Sequence, residues 1–328
     1  MRTPVAVFHI LSDGRFHSGA ELGRSLGVSR AAVWKAIQKL KHDWGVMVHA
    51  VPGKGYKLPE KVEMLARECI LGFLSAACRQ RLGKLEILKE VDSTNRYLLD
   101  AVASGAQSGD VVLAEYQTAG RGRRGRFWLS PFAQNLYFSL YWQFDLHAAR
   151  LAGLSLAMAV AISRALEKLG LNEVGLKWPN DLHWRERKLC GILLEMRGEA
   201  AGPWQVIIGV GLNIKMNTTL TARIEQPWVD LASVLAETPG RNQVAAVLLE
   251  ELTLAAEQFQ QYGLEAFRAE WRARDIISGR KVELHLPDAV VSGVARGIDA
   301  SGALCLEQNG RVRAYHAGDV SLRLSHNG

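Results

Sequence analysis

The chain has 328 residues, a hydrophobic content of 48% and a net charge of +7, values typical of a globular protein with about two or three domains. No basic segment leads into an apolar run at the N-terminus, and the longest apolar stretch, residues 151–162, is too short to span a bilayer. A secreted or membrane protein is therefore not expected. The four cysteines and nine histidines are dispersed, which predicts reduced, buried thiols in a cytoplasmic protein and no bound zinc.

The first 63 residues form a basic segment with the pattern of a winged helix-turn-helix. A helix is predicted over residues 5–11, a second begins at the Ser18–Glu21 capping box and ends at Gly27, and a third runs from a Ser29 cap to about residue 41. Alternating residues 46–51, the turn at 52–55 and residues 56–58 predict a hairpin. Two helices joined by a tight turn and followed by a basic hairpin are typical of DNA-binding domains.

The outward face of the third predicted helix favours DNA over a generic protein partner. With the helix cap and the hairpin tip, the predicted DNA-binding residues are Ser29, Arg30, Trp34, Lys35, Gln38 and Lys54. Basic side chains contact phosphates, and amide side chains can read base edges in the major groove. Residues 59–63 are then predicted to form a short linker.

A polar cluster, Ser93-Thr94-Asn95, precedes an apparent helix with an apolar face. The hydroxyl groups of Ser93 or Thr94 could cap this helix. The cluster could instead hold a neutral polar group such as a ureido ring. The residues alone leave both interpretations open.

The stretch Gly120-Arg121-Gly122-Arg123-Arg124-Gly125-Arg126 satisfies the GxGxxG pattern of dinucleotide-binding sites. Such a site requires that the glycines open a helix, whereas strand-like residues 127–129 and then Pro131 follow here, so we exclude a Rossmann site. Alternating glycine and guanidinium groups predict a loop that approaches a ligand closely and neutralises its phosphate or carboxylate groups. A basic nucleic-acid patch is the alternative.

Three further polar stretches adjoin predicted strands. Residues 177–181, Lys-Trp-Pro-Asn-Asp, form either a substrate-binding loop or a plain turn. Lys188 begins a buried strand predicted over residues 188–196, where a lysine can also simply extend to solvent. Residues 209–213, Gly-Val-Gly-Leu-Asn, end a strand predicted over residues 204–213, and their glycines could mark only a bulge.

The remaining pattern completes an α+β protein. Helices are predicted over residues 150–169, 243–261 and 264–274, and four short strands with an Asn309-Gly310 turn follow Gly279. We therefore expect a winged helix-turn-helix domain over residues 1–63, a central mixed-sheet domain over residues 64–274, and a small SH3-like β-barrel over residues 275–328.

In their order and combination, these motifs resemble the biotin–protein ligase family, and the winged helix in front resembles its bacterial branch that also represses the biotin operon. The resemblance covers essentially the whole chain. It implies that the protein forms biotinyl-5'-AMP from the substrate biotin and from ATP carrying Mg²⁺. It further implies transfer of biotin to a lysine of the biotin carboxyl carrier protein of acetyl-CoA carboxylase. With the adenylate bound, a homodimer would bind operator DNA and repress biotin-synthesis genes.

The resemblance also assigns roles to individual residues. The expected biotin-binding residues are Ser93, Thr94, Asn95, Gln117, Arg121, Gly122, Arg123 and Lys188. The expected ATP- and adenylate-binding residues are Arg121, Arg123, Lys177, Asn180, Asn213 and Trp228. Trp228 would stack on adenine, although a buried core position is an alternative. Lys188, Arg123 and Asp181 are the expected catalytic residues, with Asp181 either accepting or orienting the proton of the acceptor lysine; no residue is expected to bind a metal.

Three alternatives remain. A lipoate ligase would use the same adenylate chemistry, but lipoate has no ureido ring that would require the polar cluster. A metabolite-sensing repressor without ligase turnover would not need Arg123, Asp181 and Lys188 together. A ligase whose winged helix no longer binds DNA is the third.

Overall fold

The computed structural model describes residues 3–198, 203–216, 219–287, 289–317 and 321–324. Its N-terminal region contains α1 (Thr3–Leu11), α2 (Gly19–Leu26), α3 (Arg30–His42), β1 (His49–Val51) and β2 (Gly55–Lys57). The predicted capping box of Ser18 and Glu21 is confirmed, Gly27 ends α2 with a φ of 64°, and Ser29 caps α3. The strand predicted from residue 46 was too long, because residues 46–48 lie outside the β1–β2 ladder. Val46 and Val48 are buried instead in the core.

The central region is a seven-stranded mixed sheet with helices packed on it. Its helices are α4 (Arg67–Phe73), α5 (Ala76–Arg81), α6 (Thr94–Ala103), α7 (Leu154–Lys168), α8 (Arg241–Tyr262) and α9 (Glu265–Ala273). Its strands are β3 (Leu85–Leu88), β4 (Val111–Ala114), β5 (Leu136–Phe144), β6 (Val174–Lys177), β7 (Asp181–Trp184), β8 (Arg187–Arg197) and β9 (Trp204–Leu212). The sheet order is β3-β4-β5-β9-β8-β7-β6, with β3 parallel to β4 and the other pairs antiparallel. The predicted mixed sheet is confirmed.

The apolar helix predicted over residues 150–169 is interrupted near its start. A 3-10 turn (Ala148–Leu151) comes first, and Gly153, with a φ of 80°, precedes α7. By length and composition, Ala148–Lys168 could cross a membrane, but 67% of its most apolar window is buried inside the protein. Such burial is that of a core helix, and α7 packs against α8 and the sheet.

The C-terminal region contains strands throughout, as predicted. They are β10 (Lys281–His285), β11 (Val290–Ile298), β12 (Leu304–Gln308), β13 (Arg311–Tyr315) and β14 (Ser321–Leu324), paired antiparallel in the order β13-β12-β11-β10-β14. Asn309 and Gly310, with φ angles of 48° and 74°, form the predicted turn between β12 and β13. β14 is an addition to the predicted strands.

Two large apolar cores organise the chain, and a third, smaller cluster packs α6 on the sheet. The central core includes buried residues of the C-terminal strands, among them Val282, Leu284 and Leu304. The winged helix has a core of its own, which Phe132 and Ala133 of the central region complete. The Phe132 ring stacks on Trp44, with centroids 4.4 Å apart and planes 10° apart.

The predicted linker is joined to the central region by hydrogen bonds. Arg241 and Glu115 form a buried ion pair of 2.8 Å. Glu115 Oε1 accepts a hydrogen bond of 2.7 Å from the Leu65 backbone N–H, and Arg241 donates one of 3.0 Å to the Glu63 carbonyl. Next to Glu115, the Tyr116 hydroxyl donates to the Asp43 carbonyl of the winged helix at 3.0 Å. The segment is therefore a fixed connection between the two cores.

All four cysteines are free thiols. Cys78 and Cys190 are buried, as predicted for all four. The prediction is wrong for Cys69, which is exposed, and for Cys305, which is half-buried. Both lie outside the central core, in α4 and β12.

Candidate active site

The polar cluster at the start of α6 is buried and forms one wall of the candidate ligand site. Ser93 occupies the N-cap position, but its side chain makes no capping bond within the described chain, so the capping interpretation was wrong. Thr94 instead donates hydrogen bonds to Gln117 Oε1 from its backbone N–H, at 2.9 Å, and from its hydroxyl, at 3.2 Å. Gln117 Nε2 donates to the Ser130 hydroxyl at 3.0 Å. Thr94 and Gln117 are thus brought together, with Ser93 next to Thr94.

Asn95 belongs to the same wall but already has partners in the protein. Its amide N–H₂ donates to the Leu193 carbonyl at 3.2 Å and to Glu195 Oε2 at 2.7 Å. Its amide oxygen lies 2.6 Å from the Ser139 hydroxyl. The close approach requires a glycine beneath it, because a Cβ on Gly209 would lie 2.1 Å from Asn95 Oδ1. The geometry favours a role for Asn95 in shaping the pocket rather than in direct ligand contact.

The floor of the site is formed by glycines of β8 and β9. The β5–β9 and β8–β9 ladders continue in register through Gly209 and Gly211, so the bulge interpretation was wrong. The indole of Trp128 covers this floor, since a Cβ would lie 2.4 Å from it on Gly211 and 3.1 Å from it on Gly191. Sequence reasoning did not select Trp128, although an aromatic residue directly after the arginine-rich loop was a usable signal.

The Gly/Arg loop (residues 120–126) lies beside this floor as a compact turn. Arg121 and Phe127 form an isolated bridge, the Gly122 backbone N–H donates to the Arg126 carbonyl at 2.7 Å, and a 3-10 turn (Arg123–Gly125) lies between them. In this described stretch no helix follows the glycines, which confirms the exclusion of a Rossmann site.

The loop's first two arginines point to different partners. Arg121 donates to both carboxylate oxygens of Glu195, at 3.1 and 3.2 Å. Arg123 contacts Asn180 Oδ1 at 3.5 Å and donates to the Ala317 carbonyl in the C-terminal region. Asn180 itself is held by its amide N–H₂, which donates to the Ile192 carbonyl at 2.7 Å. The loop thus contacts β8, the β6–β7 turn and the C-terminal segment.

Lys188 and Asp181 form an ion pair of 2.9 Å in which both side chains are largely buried. Burial raises the pKa of Asp181, but the charge and hydrogen bond of Lys188 outweigh it and hold that pKa below its usual value. Burial lowers the pKa of Lys177, which lies opposite Asp181 in the β6–β7 ladder. Lys188 Nζ also lies 5.4 Å from the Trp128 ring centroid, at the edge of the glycine floor. A carboxylate with a lowered pKa is a weak proton acceptor.

Trp228 and Asn213 both lie next to Lys188, Trp228 on the segment beside β8 and Asn213 at the end of β9. Pro227 and Val229 bond to the Lys188 backbone, with both N–H to O distances at 2.9 Å, so Trp228 lies next to Lys188. Trp228 is half-buried and not a core residue. Asn213 is buried, and its amide donates to the Val229 carbonyl at 3.0 Å. Asn213 therefore supports the segment that carries Trp228.

The predicted DNA-binding residues all lie on the winged helix, and most of them are exposed. Arg30, Trp34 and Lys35 are exposed on α3, with Trp34 53% exposed. Lys54 is exposed between β1 and β2. Gln38 is half-buried and contacts His42, and the Ser29 hydroxyl accepts the capping bond of α3. Arg30, Trp34, Lys35 and Lys54 are thus accessible to a partner molecule.

Known proteins match the chain along its whole length. Residues 87–213 match the biotin/lipoate A/B protein ligase family, residues 277–323 the biotin protein ligase C-terminal domain, and residues 6–57 an HTH domain. The bifunctional ligase/repressor BirA of Escherichia coli (strain K12) is 44% identical, over 98% of this chain and 97% of the relative. The corresponding Bacillus subtilis (strain 168) protein is 30% identical, over 95% of each chain.

Solved structures agree with this assignment. A biotin protein ligase from Aquifex aeolicus, in complex with biotin and ATP, superposes with a TM-score of 0.64 at 27% identity, covering 74% of this chain and 100% of that one. The fold, the buried polar wall, the arginine-rich loop and the relatives all lead to one assignment. The chain belongs to the biotin protein ligase family, in the group that carries an N-terminal helix-turn-helix domain.

Proposed function

We propose that this protein is a biotin–protein ligase that also acts as a DNA-binding repressor of biotin-synthesis genes. It forms biotinyl-5'-AMP and transfers biotin to a lysine of a biotin carboxyl carrier protein. The observation that carries the proposal is a convergence on one face of the sheet. Three groups surround the glycine floor under Trp128 there. They are the polar wall of Thr94 and Gln117, the Gly/Arg loop, and the Lys188–Asp181 pair.

The first step joins two anions. An oxygen of the biotin carboxylate attacks the α-phosphorus of ATP, a new O–P bond forms, and the bond to the bridging oxygen breaks to release pyrophosphate. Such a step needs positioning and fixed positive charge more than a general base. Lys188 and Arg123 supply that charge, and Asp181 fixes the Lys188 ammonium through the 2.9 Å ion pair. Ser93, Thr94 and Gln117 hold the ureido group in the buried pocket, while Arg121 and Gly122 cover the ligand.

The second step transfers biotin to an amine. The neutral acceptor lysine attacks the carbonyl carbon of the adenylate, an amide bond forms, AMP leaves, and the amine loses a proton. Because the pKa of Asp181 is lowered, its carboxylate is better suited to orient the amine than to remove that proton. Lys177, Asn180 and Trp228 surround the nucleotide side of the site, with Trp228 stacking on adenine.

ATP would carry Mg²⁺, which offsets phosphate charge when bound. Within the described ranges, no group of three or more His, Cys, Asp or Glu side chains could hold a metal ion. We propose that the nucleotide's own phosphates chiefly hold the Mg²⁺ ion, as is usual for this cation. Arg121, Arg123 and Lys188 complement the remaining phosphate charge.

Repression requires more contacts than one winged helix offers. The exposed residues Arg30, Trp34, Lys35 and Lys54 would contact the operator together with Gln38. A homodimer places two recognition helices on a palindromic site, so we propose that the adenylate-bound protein dimerises on DNA. The free thiols are consistent with work in the cytoplasm, where ATP, DNA and the carrier protein are available.

The test is biotin-dependent exchange of labelled pyrophosphate into ATP, followed by transfer of labelled biotin to the carrier protein. Lys188→Ala should lower exchange by about two orders of magnitude, as expected for a charge that stabilises the transition state. Lys84→Ala is the control, because it also removes an ion-paired lysine, here from an exposed 2.7 Å pair with Glu86. Near-wild-type exchange in Lys188→Ala would contradict the proposed role.

The same assay separates the alternatives. Exchange with lipoate but not with biotin would indicate a lipoate ligase. Biotin binding without exchange or transfer would indicate a sensor without turnover. Sedimentation with and without adenylate tests the dimer, and operator binding by a protein that stays monomeric would contradict it.

A further inference from the structure

Glu195 links three parts of the candidate site: the start of α6, strand β8 and the Gly/Arg loop. It stands on β8, opposite Ile207 of β9, with its side chain 26% exposed. One carboxylate oxygen accepts a 2.7 Å hydrogen bond from Asn95 at the start of α6. Both oxygens accept hydrogen bonds from Arg121, the first arginine of the Gly/Arg loop. A single side chain therefore joins the polar wall, the sheet and the loop.

The hydrogen-bonded chain continues from Glu195 into the ligand pocket. Asn95 Oδ1 lies 2.6 Å from the Ser139 hydroxyl, which lies 2.8 Å from Thr94 Oγ1. Thr94 in turn bonds to Gln117. Groups in such a network hold one another in place, because moving one leaves a buried partner unsatisfied. The position of Arg121 is thus tied to the groups that hold the ureido ring.

We propose that Glu195 is a positioning residue for biotin binding: it holds Arg121, and with it the beginning of the Gly/Arg loop, against β8 before the ligand arrives. The role rests on the proposed biotin ligase function. Without the carboxylate, the loop's glycines allow many conformations, and its clustered arginines repel one another. Ordering that loop would then oppose ligand binding, which raises KM, while the chemical step proceeds through Lys188 and Arg123 as before.

The decisive variant is Glu195→Gln, which keeps an oxygen that can accept the Asn95 hydrogen bond and removes the charge that pairs with Arg121. We expect the KM for biotin in pyrophosphate exchange to rise by about three- to tenfold, with kcat within about twofold of wild type, since the pair is partly exposed. Glu307→Gln is the matched control, because its carboxylate pairs with Arg296 at similar exposure on the C-terminal sheet. That control should leave KM unchanged.

A second measurement reads the loop without any ligand. Trypsin cleavage after the loop arginines should be several-fold faster in Glu195→Gln than in wild type or Glu307→Gln, at an unchanged melting temperature. A double-mutant cycle with Arg121→Gln sharpens the result, because Glu195→Gln should add nothing to KM once Arg121 is gone.

The outcomes are distinct for the two proposals. Wild-type KM and wild-type cleavage in Glu195→Gln would overturn the positioning role, as would full additivity in the cycle. Absence of exchange in the wild-type protein would contradict the ligase proposal, whereas the ligand-free cleavage rate would still test whether Glu195 anchors the loop.

Discussion

The winged helix and the C-terminal sheet flank the same central domain but are attached to it in different ways. The C-terminal strands share the central core, and the Trp178 indole N–H donates to the Gly302 carbonyl of their sheet at 3.1 Å. The winged helix keeps a separate core and meets the central domain mainly through Phe132, Trp44 and Tyr116. A region that shares a core folds together with its neighbour, whereas a region with its own core can unfold cooperatively by itself.

This difference matches what each region is expected to do. The C-terminal region reaches the active site, since the Ala317 carbonyl accepts a hydrogen bond from Arg123. The winged helix carries its exposed cations on α3 and the hairpin. We therefore expect catalysis to depend on the C-terminal attachment, and DNA binding on the N-terminal one. Of the two predicted domain boundaries, the one at residue 63 separates two apolar cores, whereas the one at residue 274 crosses a shared core.

The largest expected effect is that of removing the C-terminal strands. Deleting residues 277–328 exposes the central core that Val282, Leu284 and Leu304 complete, so we expect loss of cooperative unfolding and of measurable exchange. Near-UV circular dichroism during thermal unfolding and the pyrophosphate assay measure both. A truncated protein that melts sharply and retains exchange would show that the two regions do not share a core.

The matched deletion of residues 1–63 should give the opposite result. DNA binding is lost, while the ligase domain folds and keeps substantial exchange activity. The deletion exposes Phe132, which is fully buried against the winged helix, so the truncated protein should aggregate more readily. Adding Phe132→Ser to the truncated protein should reduce that aggregation, as measured by light scattering.

A smaller effect is expected from Phe132→Ala in the full chain. It removes the ring that stacks on Trp44 and contacts Phe8, at centroid distances of 4.4 and 4.8 Å. We expect the free energy of unfolding of the winged helix to fall by about 3–5 kcal/mol, as for other buried phenylalanines. Urea unfolding followed by tryptophan fluorescence measures it. The control is Phe127→Ala, which removes a ring that is 56% exposed and should change stability little.

The smallest expected effect concerns pH and the joint between α9 and the C-terminal sheet. Burial raises the pKa of Asp275 to about 6, and within the described chain its Oδ2 has no hydrogen-bond partner. Between about pH 4 and pH 6, Asp275 is therefore protonated in the folded state and ionised in the unfolded state. The stability contributed by protonated Asp275 is present below about pH 4 and disappears as the pH rises through about 6.

Asp275→Asn should accordingly be more stable than wild type at pH 8, on the order of 2 kcal/mol, with the difference vanishing near pH 4. Asp299→Asn supplies a control of opposite sign. Burial raises the pKa of Asp299, but hydrogen bonds from Ser301 and Ala303 outweigh it and lower that pKa. The control should be less stable than wild type at pH 8 and approach it as the pH falls. If the stability of both variants relative to wild type changed with pH in the same direction, the opposite pKa shifts of Asp275 and Asp299 would be contradicted.

Local patterns were sufficient to predict the winged helix, the long helices and most of the C-terminal strands, but not the central strands β3, β4, β5 and β7. The capping box at Ser18, the turn at Asn309-Gly310 and the long helices depend on residues within a few positions of one another. β7 was not predicted, because the four residues Asp181–Trp184 carry too short a pattern next to a turn. The glycines of β9 were ambiguous, since the side chains they accommodate, Asn95 and Trp128, lie far away in sequence.

The candidate site shows the same limit. The types of residue and their order indicated the chemistry, and Thr94, Gln117, Asp181 and Lys188 lie in the expected region. The partner of each group was not predictable, because a hydrogen bond between Arg121 and Glu195 joins residues 74 positions apart. Such pairs depend on strand register and side-chain direction, which follow only from the assembled sheet.

Three consecutive residues after β4 serve three different parts of the molecule. Glu115 accepts a hydrogen bond from the segment that connects the domains, Tyr116 contacts the winged helix, and Gln117 bonds to Thr94 in the ligand site. Neighbouring residues share rigid peptide planes, so none of the three can shift by much without moving the others. The ligand site and the DNA-binding domain are thus connected through three consecutive backbone residues. A displacement of this backbone segment on ligand binding would therefore move both Gln117 in the ligand site and Tyr116 at the winged helix.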